Sequence, residues 1–155
     1  MSNLDAFLDA VAVSELGQEM LNLSDDGYNV IVGSVPHFPL LFDSYADHPR
    51  RRVFIPKLGT YSTAAGRYQL LERYFDIYKK QLNLPDFGKA SQRAIAVQQI
   101  KERHALDDIE AGRFTDAIYK CSSIWASLPG SEYGQHTNTP AMLAKAYQSA
   151  GGVLA

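Results

Sequence analysis

The chain has 155 residues, 46% hydrophobic and 21% charged, the balance of one folded globular domain rather than of a disordered, collagen-like or disulfide-stapled polypeptide. Its 15 Lys and Arg against 17 Asp and Glu leave a formal charge of −2, without the basic footprint of a nucleic-acid binder. The single cysteine, Cys121, excludes an internal disulfide.

The opening segment carries Leu4, Phe7, Leu8 and Val11 at helical spacing, with Ser2 or Asn3 as N-cap and Gly17 as stop, which predicts a short amphipathic helix. Asp5, Asp9 and Glu15 with no basic n-region make this stretch neither a signal peptide nor a membrane span. The expected location is therefore a cytoplasm. Glu15 falls in the last turn, against the negative end of the helix dipole, where a raised pKa is expected.

From Ser24 to Ser62 the pattern turns to Gly, Pro, Asp and Ser punctuation around YNVIV (28–32) and VFI (53–55), predicting a small antiparallel sheet with long loops. The stretch from Val35 to Tyr45, with Pro36 and Pro39, fits either a lip packed on that sheet or a mobile flap. After Gly66 the residues Leu70, Leu71, Tyr74, Phe75, Tyr78 and Leu82 follow the helical period, and Asn83 to Pro85 stop it. Ser91 is placed to cap a second helix with Ala94, Ile95, Val97, Gln98 and Ile100 inward. Leu106–Ala111 and Phe114–Trp125, separated by Gly112, and Ala141–Ala150 give three more helices. The predicted fold is a mostly helical α+β domain over residues 1–155, with its sheet in the first third.

His37, His48, His104 and His136 form no ligand pair at metal-binding spacing, so no metal is expected. Cys121 reads as a small buried apolar residue. The glycines at 59, 66, 88 and 112 lack phosphate-loop spacing, and Asp86-Phe87-Gly88 has no other kinase element around it. The carboxylates are more informative. Glu15 sits near Val11 and Val13, where partial desolvation favours the protonated form a general acid needs; from position alone, an ordinary exposed glutamate is the commoner reading. In AAGRYQLL (64–71), small residues permit close backbone approach while Tyr68 and Gln69 offer a ring face and an amide. That combination suits a sugar, and it also suits a plain loop entering a helix.

The segments AFLDAVAVSE, GYNVIVG, YADHPR, AAGRYQLLERYFDIYKKQL, AVQQIKER and CSSIWASLPGSEYGQ resemble the lambda-type phage endolysins over about Ala6 to Gly152. The resemblance implies a lysozyme-like fold, with a helical lobe and a small β lobe flanking a glycan groove. It implies a lytic transglycosylase that cuts between N-acetylmuramic acid and N-acetylglucosamine and leaves a 1,6-anhydromuramic end. The family's Ser-Glu pair puts the catalytic acid on Glu15, and its Gly-Arg-Tyr-Gln segment puts substrate-binding residues on Gly66, Arg67, Tyr68 and Gln69. Tyr133, Gly134 and Gln135 match a Tyr-Gly-Gln near the acid, and Gln98 in Ala96–Gln99 faces either the groove or solvent. Two positions depart from the pattern: Leu16 stands where a Gly commonly follows the acid, and Asn29 where an Asp follows Gly-Tyr. Asn29 is left as a hydrogen-bonding contact to substrate.

The mechanism so implied uses one carboxyl and neither metal nor organic cofactor. Asp25 and Asp26, ten and eleven residues after Glu15, keep open a hydrolytic muramidase with a second carboxylate; with Gly27 their turn chemistry favours a solvated turn. A non-catalytic glycan-binding virion module is the third reading. The expected partners are the peptidoglycan strand and a holin that opens the membrane, with no nucleic acid, and the expected form is a monomer.

Overall fold

The structure is a computed structural model that describes residues 2–130 and 138–155. In chain order its elements are α1 (Asn3–Leu16), α2 (Gln18–Leu23), β1 (Val53–Ile55), β2 (Thr60–Ser62), α3 (Glu72–Gln81), α4 (Lys89–Glu102), α5 (Leu106–Glu110), α6 (Phe114–Cys121) and α7 (Pro140–Ser149). They fall into two compact units, Leu16–Ile95 and the combination of Met1–Glu15 with Ala96–Ala155. None of the described helices is long and apolar enough to cross a membrane.

The unit holding both chain ends is helical. Ser2 starts α1: its carbonyl accepts from Ala6 N at 3.1 Å and its Oγ from Asp5 N at 3.0 Å, which satisfies donors that a helix N-terminus leaves unpaired. The helix is less amphipathic than predicted. Ala6, Phe7, Leu8, Ala10, Val11, Ala12 and Ser14 are all buried, because alanine disappears into a close-packed interface as easily as it sits in water. Phe114 meets Phe7 edge-on at 5.9 Å and lies tilted by 30° against Tyr147 at 4.5 Å. Trp125 and Ile118 are likewise buried in this unit. The C-terminus is tied down by Asn3, whose Oδ1 accepts from Val153 N at 3.0 Å. The predicted helix over 114–125 ends at Cys121, whose carbonyl accepts from both Ile124 N and Trp125 N as the chain turns. Burial pushes the Cys121 thiol up to about 12, which leaves it an inert packing group.

The second unit carries the sheet, which is smaller than predicted. β1 and β2 pair antiparallel with Val53 opposite Ser62, Phe54 opposite Tyr61 and Ile55 opposite Thr60. YNVIV is not a strand. Val30 and Ile31 make single bridges to Leu41 and Ala65, so two different segments each take one residue's pairing and no ladder extends. Helix α2 went unpredicted because six residues are too few to display a period, although Met20 and Leu21 are its buried positions. The predicted cap at Ser91 moves upstream. Gly88 O accepts from Gln92 N at 2.9 Å, and Asp86 Oδ1 accepts from both Gly88 N and Ser91 Oγ at 2.9 Å, the stronger arrangement because a carboxylate meets the positive helix end.

The core of this unit gathers Ala65, Leu70, Phe75, Tyr78, Phe87 and Ile95, with Phe42, Leu82 and Leu84 against it. His48 stacks on Phe87 at 4.9 Å. Its Nδ1 accepts from Arg50 N and its Nε2 faces Leu70 O, both at 2.9 Å, so the ring is the neutral Nε2–H tautomer, and burial lowers its pKa. The Val35–Tyr45 stretch is anchored in part: Leu40 O accepts from Ile31 N at 2.9 Å and Phe42 N donates to Asn29 O at 3.0 Å. Phe38, between its two prolines, is 68% exposed.

Candidate active site

Glu15 is the penultimate residue of α1, in the last turn expected from Gly17, whose φ of 80° breaks the helix. Three polar residues of the same unit are linked to Glu15 by hydrogen bonds, one directly and two in sequence behind it. Ser127 Oγ donates to Glu15 Oε2 at 2.6 Å, and Ser14 Oγ lies 2.8 Å from Ser127 Oγ. Asn138 Nδ2 donates to Ser14 Oγ at 2.9 Å and to Ser14 O at 3.1 Å. The backbone closes the circuit, with Asn138 N donating to Ser127 O at 2.9 Å. The described fold thus delivers Ser127, which precedes Leu128 in the long connection from α6, to the carboxyl group, and Asn138, next to the Thr139 cap of α7, to Ser14.

Burial dominates the electrostatics of that carboxyl. Desolvation raises the Glu15 pKa from 4.5 to about 7, and the Ser127 hydrogen bond acts the other way by favouring the charged form. At neutral pH the two protonation states are therefore present in comparable amounts, which suits a group that first gives and then takes a proton. Of the two sequence signals, helix position and apolar surroundings, it is desolvation that produces the shift. Ser127 and Asn138 were not singled out from sequence. Ser127 lies inside the quoted CSSIWASLPGSEYGQ segment, and that was the only signal available.

The 66–69 segment belongs to the other unit and is largely internal. Gly66 has φ 87°, and a Cβ there would lie 2.4 Å from Gln92 Oε1; glycine is needed for both reasons. This close approach lets Arg67 N donate to Gln92 Oε1 at 3.0 Å. Arg67 is only 5% and Tyr68 6% exposed. The guanidinium donates from Nε to Asp26 O at 3.0 Å and from Nη1 to Tyr68 Oη at 3.2 Å. It also lies over the rings of Tyr28 and Tyr68, 5.5 and 5.6 Å from their centroids. Gln69 sits at φ 51°, and its side-chain nitrogen donates to Gly66 O at 2.9 Å and Val30 O at 3.3 Å. Both amide hydrogens are thereby engaged, so a hydrogen bond from Gln69 to a sugar must come through Oε1.

The remaining candidates among the described residues each have partners within the protein. Asn29 Oδ1 accepts from Asp25 N at 2.9 Å, making it part of the 25–29 turn. Asp25 is bound by Tyr45 Oη at 2.6 Å and Lys89 Nζ at 2.9 Å, and these two hydrogen bonds hold its carboxyl below the usual range. Asp26 adopts φ 49° and lies 3.6 Å from Arg67 Nη2. Gln98, on α4, donates to Glu102 Oε2 at 3.2 Å. Tyr133, Gly134 and Gln135 lie outside the described residues.

Comparison with known proteins gives a consistent picture. The model of the endolysin family matches residues 5–154. The endolysin of Escherichia phage P2 is 46% identical over 155 residues, covering 97% of this chain and 94% of that protein. The endolysin of Escherichia phage lambda is 49% identical over 151 residues, covering 96% and 91%. Among solved structures, bacteriophage lambda lysozyme in complex with a chitohexasaccharide matches with a TM-score of 0.88 at 46% identity, over 100% of this chain and 98% of that one. Another structure of lysozyme from bacteriophage lambda gives 0.85 at 46% identity and the same coverage.

Proposed function

The chain belongs to the phage endolysin family of lysozyme-like, cell-wall-degrading enzymes, and from that premise we propose that it is a lytic transglycosylase with Glu15 as its one catalytic carboxyl. The observation that carries this reading is a desolvated glutamate with a pKa of about 7, held by Ser127 at the end of a buried helix. Protonated Glu15 gives its proton to the glycosidic oxygen as the bond from C1 of N-acetylmuramic acid breaks. The resulting carboxylate takes the proton of the C6 hydroxyl as that oxygen bonds to C1. Protons balance, no water enters, and the product carries a 1,6-anhydro ring. A pKa near the working pH serves both halves, since neither form has to be created at large cost.

Hydrolysis by a carboxylate pair needs a second carboxyl available for water or for the sugar. Of the two carboxylates that the sequence offers for this role, Asp25 accepts hydrogen bonds from Tyr45 and Lys89 and Asp26 faces Arg67 Nη2 at 3.6 Å, and these engagements support the single-carboxyl reading. In the 66–69 segment Arg67 and Tyr68 act by fixing the backbone and the Tyr28 ring, while Gln69 Oε1 addresses the sugar. Asn29, Gln98 and Tyr133 complete the proposed substrate contacts. That the lambda lysozyme structure holds a chitohexasaccharide supports a β-1,4 glycan as the ligand class. As in the family it resembles, the enzyme would act as a monomer and reach the wall from the host cytoplasm once a holin opens the membrane.

Mass spectrometry of muropeptides released from purified peptidoglycan tests the reaction. The native protein is expected to give products about 18 Da lighter than hydrolytic ones, one water fewer, and Glu15→Gln none. Reducing muramic ends would overturn the transglycosylase reading in favour of a muramidase. Absence of any product from the folded native protein would point to the binding-module alternative.

A further inference from the structure

The hydrogen bonds leading to Glu15 have a direction, and it is set at the end farthest from the carboxyl. Asn138 Nδ2 lies 3.1 Å from Ser14 O. A carbonyl oxygen can only accept, so the amide must turn its NH2 group, not its oxygen, towards Ser14. The same nitrogen then donates to Ser14 Oγ at 2.9 Å. With Ser14 Oγ accepting from Asn138, its hydrogen is available to Ser127 Oγ at 2.8 Å, and the Ser127 hydrogen goes to Glu15 Oε2 at 2.6 Å. Each hydroxyl accepts once and donates once. The opposite sense would load Ser14 Oγ with two incoming donors and, among the described residues, give its own hydrogen no acceptor. Ser14 and Ser127 are both buried, where an unmatched donor is costly.

We propose that Asn138, Ser14 and Ser127 form a one-way positioning chain that keeps Glu15 Oε2 as a hydrogen-bond acceptor, so that the proton Glu15 transfers is carried on Oε1. The inference rests on the reading of Glu15 as the acid of the reaction. It divides the two carboxyl oxygens between tasks. Oε2 is held by the protein in both protonation states, and Oε1 exchanges the proton. The carboxyl plane then needs no reorientation between the acid half and the base half of the reaction, which is the advantage of a preorganised group. All three are positioning residues, acting through Glu15 rather than on the sugar.

The chain is tested by titrating Glu15 directly in intact protein labelled with 13C at the glutamate carboxyls, its resonance assigned by its loss in Glu15→Gln. The midpoint of the native protein is expected near 7. Ser127→Ala removes a hydrogen bond to the charged form and should move the midpoint towards alkaline pH by about one pH unit. Asn138→Ala should move it the same way by less, because the hydroxyls remain but lose the donor that orients them. Ser127→Thr, which keeps the hydroxyl, should restore the native midpoint. The alkaline limb of the pH–rate profile should move in parallel. An unmoved midpoint in folded Ser127→Ala overturns the proposal. So does a shift on Ser127→Ala with none on Asn138→Ala, which would reduce the chain to a single hydrogen bond; Asn138→Ala alone decides the matter if Ser127→Ala does not fold. Retained wall cleavage by Glu15→Gln would instead overturn the assignment of Glu15 as the acid, and the titration would still decide whether the chain exists.

Discussion

Replacing Glu15 with Gln should stabilise the protein, by an amount that grows as pH rises from the ordinary carboxylate pKa to the folded-state one and is constant above it. The folded-state pKa of about 7 lies above the ordinary 4.5, so between those values the folded state keeps a proton that the unfolded chain has released. Stability therefore falls as pH rises through this window, and the loss is complete once the folded carboxyl has ionised. The gap of roughly 2.5 pH units, at 1.36 kcal/mol each, corresponds to about 3 kcal/mol. Glutamine is neutral throughout and its side-chain oxygen can still accept from Ser127, so the variant escapes the penalty with little change in shape. Urea unfolding of both proteins from pH 4 to 8.5 measures the effect. The stability difference should be small at pH 4, grow to about 3 kcal/mol by pH 8, and appear as a melting-temperature gain of about 6–12 °C for a chain of this size. All other titrating groups are common to the two proteins and cancel. A difference that is flat with pH would refute the reasoning, since it would report packing rather than the ionisation of a desolvated carboxyl.

Gly66→Ala should cost at least about 2 kcal/mol in urea unfolding, because the new Cβ would press on Gln92 Oε1 at a φ of 87° that L-residues rarely adopt. Asp25→Asn should leave the anhydro products unchanged in the muropeptide assay and alter stability by less than about 1 kcal/mol, the scale of an exposed ion pair. Its pKa is held low by Tyr45 and Lys89, so the small contribution it makes is present above the ordinary carboxylate range and lost as pH falls; loss of activity in the folded variant would return Asp25 to the mechanism.

What the linear sequence determined was whatever depends on local pattern. The boundaries of α1, with its serine cap and glycine stop, follow from neighbours in the chain, as do the helical period after Leu70 and the β1 segment. The position of Glu15 at a helix end among apolar residues was legible for the same reason, and so was the family. The rest depends on residues far apart in sequence. Val30 and Ile31 look like a strand but find only single-residue pairings with Leu41 and Ala65, and pairing is a property of two segments. Arg67 and Tyr68 carry the composition of a sugar-binding loop, yet they are buried because Asp26, Tyr28 and Gln92 come to them from elsewhere in the chain. Ser127 and Asn138 had no local mark at all; a hydroxyl and an amide acquire their meaning only when a fold brings them, 112 and 124 residues along the chain, onto Glu15 and Ser14. Sequence could place Glu15 at a helix end, whereas its pKa and the direction of its hydrogen bonds are products of tertiary packing, because desolvation and orientation are set by atoms that the chain supplies from a distance.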